Sequence, residues 1–254
     1  MDSAVNTPVN EKKKPFAIAS ITLILGALLV LWEAMFPVLR WFIAPDAPLT
    51  QFVHIPTTAV YMFIILCIFC VAVATFFKKS NIFLIVSLFA LAVAYALFTL
   101  IDVNAFWDNY KVFTEVSHYP PGFDSEQIKD LFLNYGPYVL AESCMVLGFI
   151  VFGLVAIFAR MGKVKLTNLW ILGTVLFVIA ALCALFNAFR AVITNFEWLG
   201  WMLEMWLDYG IGDTSNIVVD FFYRLGMPWL FCGTAAMHFI SSILLGLYLK
   251  KLAK

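Results

Sequence analysis

Charged residues are scarce in this chain, and their scarcity excludes an ordinary soluble domain. Only 13% of the 254 residues are Asp, Glu, Lys or Arg, whereas 63% are hydrophobic, and the mean hydropathy is +0.94. Soluble domains carry about a quarter charged residues. Short segments of alternating polarity, which build membrane β-barrels, are also missing. The composition therefore indicates an all-α, polytopic membrane protein.

Recognisable catalytic and cofactor motifs are missing as well. The chain has three histidines, and only His238 lies in an apolar stretch, so the two facing membrane histidines of a bis-histidine haem are absent. No phosphate-binding glycine loop, Gly-x-Ser-x-Gly or His-Glu-x-x-His occurs. All five cysteines lie in apolar stretches, which excludes an extracellular disulfide framework. We therefore predict no cofactor, and an enzyme is the less favoured class.

Six apolar stretches are long enough to cross a membrane. Each reaches the roughly 20 residues that span about 30 Å of hydrocarbon. They predict six transmembrane helices in three hairpins, at 15–77, 81–160 and 166–249. Residues 1–14 would be a cytoplasmic tail, and 15–254 a single membrane domain.

The polar segments between these stretches alternate in charge. The two termini and the two short turns, which lie on one side of the membrane, hold 11 Lys or Arg and only two Asp or Glu. The segments on the other side hold five Lys or Arg and 14 Asp or Glu. Because basic segments stay in the cytoplasm, both termini are predicted to be cytoplasmic. We expect a bacterial inner (plasma) membrane protein with outer loops at 38–56, 102–136 and 191–227.

The two longer outer loops follow one pattern, which predicts an internal repeat. Residues 124–137 and 213–228 both begin with Asp, continue with apolar residues at helical spacing, and end in Gly and Pro. Asp caps helices, and Gly-Pro is expected to end a short helix before the next membrane span. Each loop is therefore predicted to contain a short interfacial helix.

Residues 197–208 are a further candidate interfacial helix. One face is apolar and the other carries acids, which suits a helix lying in the headgroup layer. The same apolar face could also bind a partner through Trp198, Trp201, Met205 and Trp206.

Ionisable side chains inside apolar stretches are costly and mark candidate sites. Glu142 and Arg190 lie at similar depth in the fourth and fifth stretches, so an ion pair between them is expected. Glu33 and Arg40, near the outer end of the first helix, could join it. Such pairs either fix helix packing or form a cation or proton site that opens outward. His238 is expected to be a hydrogen-bonded core residue.

Two segments, 104–108 and 128–135, resemble the membrane copper region of the C subunit of particulate copper monooxygenases. The resemblance implies copper ligands of one Asp and two His, but the corresponding positions here hold Asn104, Asp108 and Gln127. A site without imidazole binds copper weakly, so neither the activity nor the metal site carries over. A metal centre on the outer side would have to use His54, His118 and Asp108.

Three function classes remain open. The first is a non-catalytic membrane subunit that binds other subunits, or a second copy of itself, through its outer loops. The second is a small transporter or channel that uses intramembrane acids. The third is a metal-dependent membrane enzyme. In each, the chain is surrounded by the lipid bilayer, and no nucleic-acid partner is expected.

Overall fold

The computed structural model describes residues 20–32, 35, 55–75, 82–115, 123–163, 168–209, 233, 236–237 and 239–251. These residues form six helices, and the predicted all-helical class is confirmed for them. The helices are α1 (Ser20–Trp32), α2 (Ile55–Ala74), α3 (Ile82–Glu115), α4 (Phe123–Arg160), α5 (Trp170–Tyr209) and α6 (239–251).

Four of these helices are long and apolar enough to cross a membrane. Their apolar parts are Thr57–Ala74, Ile82–Lys111, Ile128–Arg160 and Trp170–Thr194. These four helices support the prediction of an integral membrane protein. The finer predictions of six spans, of the kind of membrane and of cytoplasmic termini rest on the sequence alone.

Helices α3, α4 and α5 extend well past the predicted ends of their membrane spans. Residues 102–115, 123–136 and 191–209, which were expected in outer loops, are helical. The break predicted at Gly136 and Pro137 is wrong, because α4 runs through both residues. A membrane helix tolerates proline where its surroundings satisfy the freed backbone groups. Residues 197–208 likewise continue α5 and do not form a separate helix.

Side-chain packing explains why α3 and α4 continue as helices. The rings of Phe106 and Phe132 meet edge to face with centroids 5.0 Å apart. The amide nitrogen of Asn109 donates a hydrogen bond of 3.1 Å to the hydroxyl of Tyr135. These contacts carry the α3–α4 interface beyond the point where the sequence becomes more polar. Hydropathy therefore does not mark where either helix ends.

The core of the bundle lies where α4 packs between α3 and α5. Phe152 is fully buried, and its ring centroid lies 5.2 Å from that of Phe177. On the other side, Phe149 stacks on Tyr95 at 5.6 Å. Gly173 lets α5 approach closely, because a Cβ added there would lie 2.6 Å from the Phe152 ring.

Helix α2 packs on α3, and a hydrogen bond joins α1 to α2. The hydroxyl of Ser20 donates to the carbonyl of Ala72 at 3.3 Å. Helices α2 and α4 begin, and α3 and α5 end, at the same end of the bundle. We call this the cavity end; the charge pattern predicts that it faces outward.

Candidate functional site

A cavity of about 670 Å³ opens between α2, α3, α4 and α5 at the cavity end. Most of its wall is polar or aromatic, and every one of the four helices contributes to it. The lining residues are Thr57, Tyr61, Phe98, Asp102, Asn134, Tyr135, Tyr138, Asn187, Arg190, Ala191 and Thr194. This volume lies within the usual range for small-molecule sites.

The α5 wall of the cavity is a polar stripe. Asn187, Arg190, Ala191 and Thr194 all line the cavity. Their spacing of three, four and seven residues places them on one face of a helix. Arg190 is half-buried. The stripe therefore presents an amide, a guanidinium and a hydroxyl to the same space.

Asn187 is the most unusual member of this stripe. Its side chain is only 7% exposed, and its Nδ2 has no hydrogen-bond partner among the described residues. A buried donor without a partner costs about 1–3 kcal/mol. Asn187 lines the cavity, so a rotation of its amide would bring this buried nitrogen to an acceptor oxygen of a bound molecule.

Asp102 faces the cavity from α3 and contacts an acid on α4. Its carboxyl group and that of Glu142 lie within hydrogen-bonding reach of each other. The Thr99 hydroxyl lies within hydrogen-bonding reach of Glu142. Glu142 is 7% exposed, and its Oε2 has no hydrogen-bond partner among the described residues. Asp102 is half-buried and reaches the cavity itself.

The contact between the two acids limits their charge. An ionised carboxylate can only accept hydrogen bonds, so a bond between two carboxyl groups requires at least one proton on the pair. Asp102 and Glu142 together then carry at most one negative charge. The Arg190 guanidinium adds one positive charge to the cavity.

Aromatic rings complete the wall beside Asp102. Tyr61 from α2 and Phe98 from α3 meet edge to face with ring centroids 4.9 Å apart. Tyr135 and Tyr138 line the α4 side. Aromatic faces attract cations, so this side of the cavity combines a negative charge with π surfaces.

The structure brings some of the predicted site residues together. Glu142 and Arg190 lie on α4 and α5, as expected, and both belong to this region. The partners that the structure gives the Glu142 carboxyl are Asp102 and Thr99; the expected direct contact with Arg190 is not among the contacts of the described residues. Glu33, Arg40 and His238 lie outside the described residues.

The other candidates are placed as follows. Asp108 lies exposed on α3, while His54 and His118 are outside the described residues. Trp201 is 55% exposed on the far part of α5. Trp198, Met205 and Trp206 belong to the same helix, but their side chains are not described. In the described part of the chain, no three His, Cys, Asp or Glu side chains are grouped as metal ligands would be.

Sequence reasoning missed Asp102 and Asn187. Asp102 was assigned to an outer loop because it follows the most apolar part of α3. Asn187 is not ionisable, so the cost of burying a charge did not single it out. The signal that could have found the site is the helical spacing of Asn187, Arg190 and Thr194 at the end of an apolar stretch.

Comparison of the chain with protein-family models, with curated proteins and with solved structures finds no match.

Proposed function

We propose that this chain is a small membrane transporter or channel whose solute site is the cavity lined by α2, α3, α4 and α5. The observation that carries the proposal is the buried Asn187 amide, which has an unpartnered nitrogen and lines a cavity that also contains Asp102 and Arg190. Ionisable and polar groups inside membrane helices usually mark pathways for ions or solutes.

The acid pair supports the same function. Helix packing alone needs no carboxyl group that reaches an open cavity, yet Asp102 does so while holding Glu142 by a hydrogen bond. A site for a solute or a proton uses this arrangement directly. It gives the solute a charged contact and leaves the second acid buried behind it.

Reconstitution into liposomes tests the proposal. Flux of protons, Na⁺, K⁺ and a panel of small organic acids, amines and zwitterions would be measured with the full chain. We expect flux of at least one species and its loss in Asp102→Asn and Asn187→Ala. Asp108→Asn is the matched control, since the same change is made on the same helix at an exposed position. A protein that moves no member of the panel would contradict the proposal.

A second candidate function, a subunit of a larger membrane assembly, is favoured by the far part of α5. The helix continues for 15 residues beyond its apolar part, which ends at Thr194. In that extension Phe196 is 60% exposed and Trp201 55% exposed. Aromatic residues dominate the binding energy of interfaces.

Native mass spectrometry from membranes tests the assembly. If the candidate is right, wild type carries a partner or a second copy, and Trp201→Ala releases it while the helical content stays unchanged. Gly200→Ala, one residue away with open space around it, serves as the control. A lone monomer in native membranes would eliminate this candidate and leave the transporter proposal untouched.

A further inference from the structure

We propose that the cavity binds a small zwitterion, with its cationic end against Asp102 and its carboxylate against Arg190 and Asn187. This inference rests on the proposed solute-binding function and names the substrate class. It follows from what the two walls of the cavity offer.

The α5 wall suits a carboxylate. Arg190 and Asn187 are three residues apart and line the same cavity, so their N–H groups lie on one helix face. A guanidinium binds carboxylate oxygens through charge-assisted hydrogen bonds. The unpartnered Nδ2 of Asn187 is itself buried, and it supplies a further donor once the amide turns toward the ligand.

The α2–α3 wall suits an alkylammonium group. Asp102 reaches the cavity, and with one proton on the acid pair that pair carries one negative charge. The rings of Tyr61 and Phe98 lie on the same side, 4.9 Å apart. Ammonium groups with alkyl substituents are recognised by aromatic faces together with a negative charge.

Charge balance separates a zwitterion from a simple ion. With one proton on the Asp102–Glu142 pair, the charge of the pair and that of the Arg190 guanidinium sum to zero, so a zwitterion satisfies both charges without changing the total. A simple anion would leave the acid pair without a partner, and a simple cation would do the same to Arg190. An unpaired charge in a partly dehydrated site is costly.

Three probes of similar size isolate the two ends of the ligand. Glycine betaine is the zwitterion; 3,3-dimethylbutyrate has the same shape and carboxylate but no positive charge; choline keeps the quaternary ammonium and has a hydroxyl in place of the carboxylate. Binding to the full chain in detergent would be measured by calorimetry. We expect glycine betaine to bind about tenfold or more tightly than either of the others.

The variants then assign each end to its wall. Asp102→Asn should weaken the binding of glycine betaine about ten- to hundredfold and should not weaken that of 3,3-dimethylbutyrate, whose binding no longer leaves the Asp102 charge without a partner. Asn187→Ala and Arg190→Gln should weaken the binding of glycine betaine and should not weaken that of choline. The unaffected probe shows in each case that the variant is folded.

Several results would overturn the proposal that the cavity binds a zwitterion. Equal affinity of wild type for glycine betaine and 3,3-dimethylbutyrate would make the cavity an anion site, and equal affinity for choline would make it a cation site. Absence of binding by all three probes, together with liposome flux of another solute, would refute the substrate class and keep the proposed function. Absence of both binding and flux would refute both.

Discussion

Replacing Glu142 distinguishes two possible partners of this buried acid. In the structure the Glu142 and Asp102 carboxyl groups lie within hydrogen-bonding reach of each other, and the more buried Glu142 is expected to carry the O–H. Glu142→Gln keeps a donor of similar length, because the side-chain amide can replace the O–H. The expected loss of unfolding free energy is then below about 1 kcal/mol, the net value of one ordinary hydrogen bond. If Glu142 were instead the ionised partner of Arg190, loss of its charge would cost about 3–5 kcal/mol.

Glu142→Leu gives the second point of this series. Leucine has a similar volume but no donor, so Asp102 loses its partner across the α3–α4 interface. An acceptor left unsatisfied costs about 1–3 kcal/mol. The stability order expected from the structure is wild type, then Gln close behind, then Leu clearly lower.

Unfolding of the full chain in one fixed detergent, followed by tryptophan fluorescence, measures these differences. Arg190→Gln and the double variant Glu142→Gln/Arg190→Gln complete a cycle. If the two residues are not in contact, their effects should add within about 0.5 kcal/mol. Two results together would refute Asp102 as the main contact of Glu142. The Gln variant would be as unstable as the Leu variant, and the double variant would lose less unfolding free energy than the sum of the two single changes.

Two further predictions concern packing and topology. Gly173→Ala should destabilise the protein by about 1–3 kcal/mol because its Cβ would meet the buried Phe152 ring. Gly200→Ala, in open space, should instead gain up to about 1 kcal/mol from helix propensity. Thermal unfolding compares the two variants, and equal shifts in their unfolding temperatures would contradict the close approach of α4 and α5. With single cysteines placed in a cysteine-free background, a membrane-impermeant thiol reagent on intact cells should label the two loop positions and not the N-terminal one (Ser117 and Thr214 against Ser3); the reverse pattern would invert the topology.

Composition and apolar run length were enough to predict a helical membrane protein, because both follow from the need to fill about 30 Å of hydrocarbon. They were not enough to predict where α3, α4 and α5 end. Those ends depend on contacts such as Phe106 with Phe132, which join residues far apart in sequence. Asp102 was missed for the same reason. Its role depends on the register between α3 and α4, which hydropathy does not contain.

The depth of the charged groups connects the fold to the proposed site. Asp102 lies about 30 Å along α3 from its start at Ile82, and Arg190 lies about 30 Å along α5 from Trp170. Both therefore sit where a helix that starts at one face of the hydrocarbon reaches the other. Asp102 and Arg190 are both half-buried at that level, so they are partly removed from the surrounding water. Charges in such a place interact more strongly than exposed ones but need no transfer into the centre of the bilayer. The long helices thus place a partly dehydrated polar site at the level where the sequence predicted that the long outer loops would begin.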